Sequence, residues 1–209
     1  MIRIGIDESN YSPSLSGPII VASFCLRRKK GIRLPKVKDS KALTSGQRVK
    51  LFTKLSEVGH YTVNICMPSE IEMFGVYEAR NQAGKDTISR LCKFIGDKHA
   101  QVHCDQSFAK AFRQDNGVQY NIKAATGGNP LSWAASIFAK VTADAMFLGY
   151  GSLFPDYGPD FGKGCLRNKD KALLRAVGPT PFHRKYGYAK DWWESLLDPR
   201  NEVMKHEDE

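Results

Sequence analysis

The alternation of apolar and polar residues along the chain predicts strands near the N-terminus and alternating helices and strands after them. Strand-forming apolar runs lie at residues 2–6, 17–27, 61–66 and 101–104, with a further candidate at 118–123. Longer helical patterns lie at 45–56, 69–94 and 130–149, and shorter ones at 168–176 and 190–197. Two strands joined by a turn, followed by this alternation, are typical of an α/β fold with a mixed five-stranded sheet flanked by helices.

Local signals predict where some of these elements begin and how the chain is divided. Ser69 is followed three residues later by Glu72, a capping-box pattern that predicts the start of the helical region 69–94. We expect one domain over residues 1–185 and a C-terminal helix with a polar tail over 186–209. The aromatic pair of this helix is predicted to dock it on the core, with stacking on bases as the alternative: Trp192 and Trp193.

Carboxylates lie at or near the ends of three apolar segments. Asp7 and Glu8 follow the first run, Asp105 follows the run 101–104, and Asp144 lies in the pattern 130–149. A buried charge without a partner is costly, so such acids are solvated, paired with bases or bound to a metal. Carboxylate oxygens are the ligands that Mg²⁺ and Mn²⁺ prefer, and these four acids are therefore a candidate metal site.

The overall charge indicates a polyanionic partner. The 209-residue chain carries a formal net charge of +9, and because residues 202–209 contribute −3, the remainder carries +12. Nucleic acid is the commonest partner of such a basic body, and an ordinary soluble basic protein is the alternative. Acids embedded in a basic body need a cation between themselves and a phosphate, which links the charge to the candidate metal site.

Cysteine usage and hydropathy exclude several other classes. The five cysteines are an odd number and none forms a Cys-x-x-Cys pair, so neither a zinc site nor a disulfide framework is expected. We find no signal peptide and no run of about 18 apolar residues, and we expect no membrane partner. Cysteine usage predicts the reducing cytoplasm, and we also expect a monomer.

Five motifs, in the same order over roughly residues 2–185, resemble the type 2 ribonucleases H, the ribonuclease HII family. A strand ends in Asp-Glu at 7–8, and Gly17-Pro18 opens the next strand. The family's Asp-Ser-Lys motif is matched by Asp39-Ser40-Lys41. The segment Ser136–Asp144 is similar to a helix that carries a fourth carboxylate, and Gly178–Arg184 is close to the C-terminal signature.

The resemblance implies a ribonuclease H-like fold and a metal-dependent endonuclease that cuts the RNA strand of RNA–DNA hybrids. It implies two Mg²⁺ or Mn²⁺ ions, bridged by Asp7, with Glu8 and Asp105 completing one site and Asp144 the other. Hydrolysis would leave 3′-hydroxyl and 5′-phosphate ends. Two alternatives stay open: a nuclease of this fold acting on a DNA junction or structured RNA, and a non-catalytic nucleic-acid-binding module.

The helix predicted at 130–149 allows two interpretations of its charged residues. Ser136, Lys140 and Asp144 are spaced four apart and form one stripe of the helix. Lys140 and Asp144 at this spacing form an ordinary solvated salt bridge in many proteins. In the metal-site interpretation, Lys140 instead balances charge beside the Asp144 ligand and is also a predicted nucleic-acid contact.

Several residues are predicted to contact nucleic acid. Ser40 and Lys41 are candidate phosphate contacts, and His183-Arg184 follows a Gly-Pro-x-Pro segment that would aim both at the backbone. Other candidates come from departures from the family. Its Gly-Arg-Gly turn is replaced by Ser9-Asn10-Tyr11-Ser12, in which Tyr11 either contacts the substrate or packs beneath the turn. Its junction-reading Lys-Gly-Tyr is replaced by Lys163-Gly164-Cys165. We therefore predict altered substrate preference.

Overall fold

The computed structural model describes residues 1–11, 17–97, 99–113, 120–124, 128–158, 168–185 and 194. The described strands are β1 Ile2–Ser9, β2 Ile19–Leu26, β3 Gly59–Cys66, β4 Ala100–Cys104 and β5 Tyr120–Ala124. The described helices are α1 Ser45–Val58, α2 Pro68–Phe74, α3 Val76–Ile95, α4 Gln106–Arg113, α5 Pro130–Leu153 and α6 Asn168–Val177. These elements confirm the predicted α/β fold with a mixed five-stranded sheet.

The five described strands form one sheet in the order β3-β2-β1-β4-β5. The hairpin β1–β2 and the pair β2–β3 are antiparallel, whereas β1–β4 and β4–β5 are parallel. The C-terminal ends of β1, β4 and β5 therefore lie at the same edge of the sheet. This topology brings Asp7, Glu8 and Asp105 toward one another from distant parts of the sequence.

Apolar layers cover both faces of the sheet. On one face, alternate residues of β1 pack with α3 and α4, including Ile4 and Phe108. On the other face, β2 packs with α1 and α5, including Phe24 and Phe138, whose rings stack at 5.7 Å. Gly5 allows α5 to approach β1 closely, because a Cβ at this position would overlap the backbone of Leu131.

Helix α5 corrects the expectation that no apolar stretch of this chain is long enough to span a membrane. By length and apolar composition alone it could cross a membrane, and it is the one helix in the described ranges that passes this test. About half of its most apolar window is buried inside the fold, against β1 and β2. Its apolar residues are those of a core helix covering a sheet.

The structure also changes several predicted boundaries. The predicted N-cap Ser69 is wrong: Met67 precedes the helix, Pro68 is its first residue, and Glu70 accepts a hydrogen bond from the Met67 N–H at 2.8 Å. The predicted helix 69–94 is two helices, because Gly75 between them has a φ of 79°. Helix α4 was not predicted. The predicted C-terminal helix 190–197, with Trp192 and Trp193, lies outside the described residues except for Glu194, which is helical.

Candidate active site

Asp7 and Glu8 are part of β1 rather than residues beyond its end. Asp7 is opposite Ala22 and Glu8 is opposite Val21 in the antiparallel register with β2. Successive side chains of a strand point to opposite faces of the sheet. Because Ile6 belongs to the core layer under α3, Glu8 lies on the α3 face and Asp7 on the α5 face. The two acids therefore reach the sheet edge from opposite sides.

The environment of Asp7 strongly disfavours its ionised form in the metal-free protein. Its pKa is raised to about 8, first by burial and then by the negative charges of Glu8, Asp105 and Asp39. The backbone N–H of Glu8 donates to Asp7 Oδ1 at 2.9 Å and opposes this shift. Asp39, from the Asp-Ser-Lys motif, is thus close enough for its charge to be felt at Asp7.

Glu8 has a similar electrostatic environment, with two cations nearby. Its pKa is raised to about 7, mainly by burial and further by Asp105, whereas Arg80 and Lys41 lower it. Its Oε2 atom is buried and has no hydrogen-bond partner among the described residues. A buried carboxylate oxygen without a partner is costly, and a bound cation would satisfy it.

Asp105 directly follows β4, at the same sheet edge. Its Oδ1 accepts hydrogen bonds from the Ser107 hydroxyl at 2.8 Å and from the Phe108 N–H at 2.9 Å. Asp105 therefore caps the N-terminus of α4, and this fixes the side chain next to the acids of β1. The residue itself is exposed.

Arg80 is a buried charge beside the acids that the sequence did not reveal. It lies on α3, is completely buried, and its Nη1 is 3.8 Å from Glu8 Oε1. The guanidinium donates to Ser107 Oγ at 2.8 Å and to Asn81 Oδ1. Its Cζ atom lies 4.3 Å from the ring centre of Tyr11. Nothing in the local helical pattern of α3 distinguishes this arginine from the solvated ones.

The donors at this edge suit a hard divalent cation. Asp7, Glu8 and Asp105 supply carboxylate oxygens. A bound cation would offset the burial and the mutual repulsion that raise the pKa values of Asp7 and Glu8, and it would satisfy the partnerless Oε2 of Glu8. Across the described residues, no three Asp, Glu, His or Cys side chains already converge as a preformed metal site. The residues present fit a metal in type and charge, and Asp7, Glu8 and Asp105 would hold it.

Asp144 occupies a different environment from the other three acids. Its Oδ2 accepts from Arg48 at 2.9 Å and its Oδ1 from Lys140 at 2.6 Å. Arg48 also donates to the backbone carbonyls of Ser40 and Leu43. Lys140 and Asp144 thus form the salt bridge that was one of the two interpretations. Asp144 positions the loop that carries the Asp-Ser-Lys motif.

That loop places Lys41 at the surface beside the acids. Asp39 Oδ1 accepts from the Lys41 N–H at 2.8 Å and caps a short 3-10 turn, Ser40–Ala42. Ser40 is buried, whereas Lys41 is exposed and its charge lowers the pKa of Glu8. Of these two predicted phosphate contacts, only Lys41 is exposed, and its role stays a prediction.

Two of the predicted nucleic-acid contacts after β1 make hydrogen bonds or packing contacts within the protein: Asn10 and Tyr11. Asn10, which has a φ of 63°, donates from its side chain to the Pro18 carbonyl at 2.8 Å. Arg184 is buried and donates to the carbonyls of Asn10 and Gly17. One face of the half-buried Tyr11 ring lies against Arg80, as in the packing interpretation. Arg184 therefore holds the ends of the turn, and its predicted phosphate contact finds no support in this geometry.

His183 also lies in the interior. It is buried, its Nδ1 accepts from the Thr180 N–H at 2.9 Å, and burial lowers its pKa to about 4. A neutral, buried imidazole is suited to packing rather than to binding phosphate. Three further predicted contacts lie outside the described residues: Ser12, Lys163 and Cys165.

Comparisons with known proteins agree with this fold. The chain matches the family model for ribonuclease HII over residues 4–192. It is 32% identical over 197 residues to a ribonuclease HII of Carboxydothermus hydrogenoformans, covering 87% of this chain and 74% of the relative. The crystal structure of Pyrococcus horikoshii ribonuclease H2 is similar with a TM-score of 0.71 at 26% identity, covering 95% of this chain and 100% of that one. Bst ribonuclease HIII in complex with Mn²⁺ shares the fold, with a TM-score of 0.69 at 18% identity over 96% of this chain and 71% of that one.

The mixed five-stranded sheet flanked by helices places the chain in the ribonuclease H-like fold class. Within that class, the chain belongs to the ribonuclease HII family and is a ribonuclease H-type endoribonuclease.

Proposed function

We propose that this protein hydrolyses the RNA strand of RNA–DNA hybrids with the help of Mg²⁺ or Mn²⁺, leaving 3′-hydroxyl and 5′-phosphate ends. The observation that carries the proposal is the group of desolvated acids at one sheet edge. Asp7 and Glu8 have pKa values raised to about 8 and 7, and Glu8 Oε2 is buried without a partner in the described structure. Acids in this state need a cation before a phosphate can approach.

Three acids would hold the metal: Asp7, Glu8 and Asp105. A bound divalent cation supplies an activated water and stabilises the charge that develops on the phosphate during hydrolysis. The protein contributes by fixing these acids on β1 and at the N-terminus of α4. The two-ion arrangement stays a prediction, because its fourth ligand, Asp144, is already bound by Arg48 and Lys140.

The surroundings of the acids favour a nucleic acid as substrate. Lys41 is exposed next to Glu8 and offers a full positive charge to the phosphate backbone. The net charge of +9 adds a long-range attraction for a polyanion. Membership of the ribonuclease HII family supports an RNA-containing duplex, and the rebuilt turn after β1 bears on which ribonucleotide pattern is preferred.

The proposal is tested with matched duplexes of one sequence. The set contains a continuous RNA–DNA hybrid, DNA with a single embedded ribonucleotide, double-stranded RNA and double-stranded DNA. We expect cleavage of the hybrid with Mg²⁺ or Mn²⁺, products that can be extended from a 3′-hydroxyl, and 5′ ends that phosphatase can dephosphorylate. Cleavage of DNA or double-stranded RNA at least as fast as the hybrid would contradict the proposed substrate, as would products ending in a 3′-phosphate.

A further inference from the structure

A cavity of about 710 Å³ lies on the α5 face of the sheet, toward the end of β1 opposite the acids. Its volume is within the roughly 300 to 1,000 Å³ of small-ligand sites. Arg3 lines it, four residues before Asp7 and about 13 Å from it along the strand. The first turn of α5 separates the two places, because the backbone of Leu131 packs directly on Gly5, between these two residues. The cavity is therefore distinct from the carboxylate centre.

The charged side chains of the cavity wall are all cations in the part of the chain that the structure describes. Three exposed arginines line it: Arg3, Arg27 and Arg28. Asp97 pairs with Arg28 at 3.1 Å and with the N-terminal amine at 3.3 Å. Within the same described residues, Arg3 and Arg27 form no ion pair. Two positive charges are therefore available to an anion.

His103 of β4 lines the same cavity and has an unsatisfied ring nitrogen. Its Nε2 atom is buried and has no hydrogen-bond partner among the described residues. A buried polar atom without a partner is costly, and a small rotation of the ring toward the cavity would give it a partner on a ligand. Lys123, exposed on β5, is the register partner of His103 and lies on the same face of the sheet. The cationic surface therefore continues onto β5.

Apolar side chains form much of the remaining wall. Leu26, Leu34 and Leu131 line it from β2, from the loop that follows β2 and from α5, and all three are half-buried. Arginine binds phosphate through a planar pair of donors, and its guanidinium also stacks on flat rings. A ligand that fits such a wall has a phosphate and a flat, largely apolar part. Nucleoside phosphates have both.

We propose that this cavity is a second binding site, which takes a nucleoside phosphate. Arg3 and Arg27 bind the phosphate, the three leucines contact the base or sugar, and Nε2 of His103 hydrogen-bonds the ligand. The same chemical group occurs on a free mononucleotide and at the phosphorylated end of a nucleic-acid strand. The inference does not depend on the proposed hydrolysis, because none of the three acids contributes to the cavity.

The first test is calorimetric titration of the wild-type protein with AMP in excess EDTA, with adenosine and inorganic phosphate as comparisons. Without a divalent cation, the acids at the sheet edge repel phosphate, so that binding at the carboxylate centre does not contribute. We expect one AMP per protein, bound about 10-fold or more tightly than either adenosine or inorganic phosphate, because each of these lacks half of the contacts. No measurable binding of AMP at millimolar concentration, or equal binding of AMP and inorganic phosphate, would overturn the inference.

Substitutions then test whether the arginines of the wall bind the phosphate. Arg3→Gln should weaken AMP binding by about 10-fold, because a charge-assisted hydrogen bond to phosphate is lost. Arg33→Gln removes the same charge from an exposed position in the loop after β2, outside the cavity wall, and should bind AMP as the wild type does. Equal weakening by both variants would show general attraction of an anion and would overturn the inference. Circular dichroism checks that both variants are folded; if Arg3→Gln is not, the wild-type comparison of AMP, adenosine and phosphate decides.

Competition against AMP distinguishes the two sources of the phosphate group. The competitors are single-stranded DNA oligonucleotides of one sequence, with and without a 5′-phosphate. A phosphorylated strand that binds more tightly than AMP assigns the site to a strand end, and one that binds equally or more weakly assigns it to a free nucleotide. A strand without the 5′-phosphate that displaces AMP as well as the phosphorylated strand does would overturn the inference.

Discussion

Replacing Asp7 by Asn should stabilise the metal-free protein, although it removes a proposed metal ligand. The unfolded chain ionises Asp7 with its ordinary pKa of 3.8, whereas the folded protein keeps it protonated up to about pH 8. Between these values the folded state binds more protons than the unfolded state, so the free energy of unfolding falls as the pH rises. Asn cannot ionise in either state, and its Oδ1 can still accept from the Glu8 N–H.

The size of the effect follows from the same shift. About three pH units separate the ordinary pKa of Asp7 from pH 7, so at pH 7 the carboxyl is ionised in the unfolded chain and protonated in the folded protein. At about 1.4 kcal/mol per unit, this difference stabilises the unfolded state relative to the folded one by about 4 kcal/mol. Allowing for relaxation of Glu8 and its surroundings, we expect Asp7→Asn to raise the free energy of unfolding by about 2 to 4 kcal/mol at pH 7. At pH 5, where the gap is about one unit, the gain should shrink to about 1 to 2 kcal/mol.

The measurement is urea denaturation in excess EDTA at pH 5, 7 and 8, followed by circular dichroism. Asp156→Asn, an exposed acid far from β1 in sequence, is the matched control and should not change stability at any of these pH values. Saturating Mn²⁺ should stabilise the wild type and leave Asp7→Asn almost unchanged, because a ligand that binds only the folded state stabilises it. An Asp7→Asn protein that is less stable than wild type at pH 7, or a difference that does not depend on pH, would show that Asp7 is not protonated in the folded, metal-free protein.

Three further predictions concern other residues. The pKa of His183 is lowered to about 4, so as the pH falls the unfolded state takes up a proton on this residue before the folded state does, and stability should decrease by about 3 kcal/mol between pH 6.5 and 4. His183→Asn should flatten this part of the pH profile measured by urea denaturation. An unchanged profile would contradict the lowered pKa of His183. Lys41→Ala should weaken binding of every cleavable duplex by roughly 3- to 10-fold and reduce the salt dependence by about one counterion, whereas an unchanged salt slope would remove Lys41 from the interface. A single ribonucleotide in DNA should be cut poorly relative to a continuous hybrid, and Cys165→Tyr should narrow the difference; efficient wild-type incision at the lone ribonucleotide would show that the two departures from the family do not set specificity.

The fold was predictable because its signals are local and periodic. The runs ending at Asp7 and before Asp105 are short and apolar, and their acids stand out where an apolar pattern stops. The start of α2 was misplaced for an equally local reason. Glu70 hydrogen-bonds the backbone N–H of Met67, whose side chain has no capping oxygen, so the expected Ser or Thr signal is absent at the true boundary.

The roles of the charged residues around the acids were less predictable, because they depend on contacts across the fold. The spacing of Lys140 and Asp144 allowed a salt bridge or a metal ligand, and Arg48, 96 residues from Asp144 in sequence, is the second cation that fixes the salt bridge. Arg80 looks like any helical arginine until α3 packs against β1 and places it beside Glu8. Burial of this kind is set by tertiary packing and leaves no mark in a local pattern.

The central claim, a metal-dependent nuclease centre built on Asp7, Glu8 and Asp105, is tested most directly by single-turnover cleavage of a 5′-labelled continuous RNA–DNA hybrid. We expect cleavage by the wild type with Mg²⁺ or Mn²⁺ and none in excess EDTA. Folded Asp7→Asn and Asp105→Asn proteins should cleave more slowly by roughly 1000-fold or more, since metal-borne charge stabilisation is worth several kcal/mol. Wild-type cleavage in excess EDTA, or full cleavage by a correctly folded Asp7→Asn protein, would contradict it.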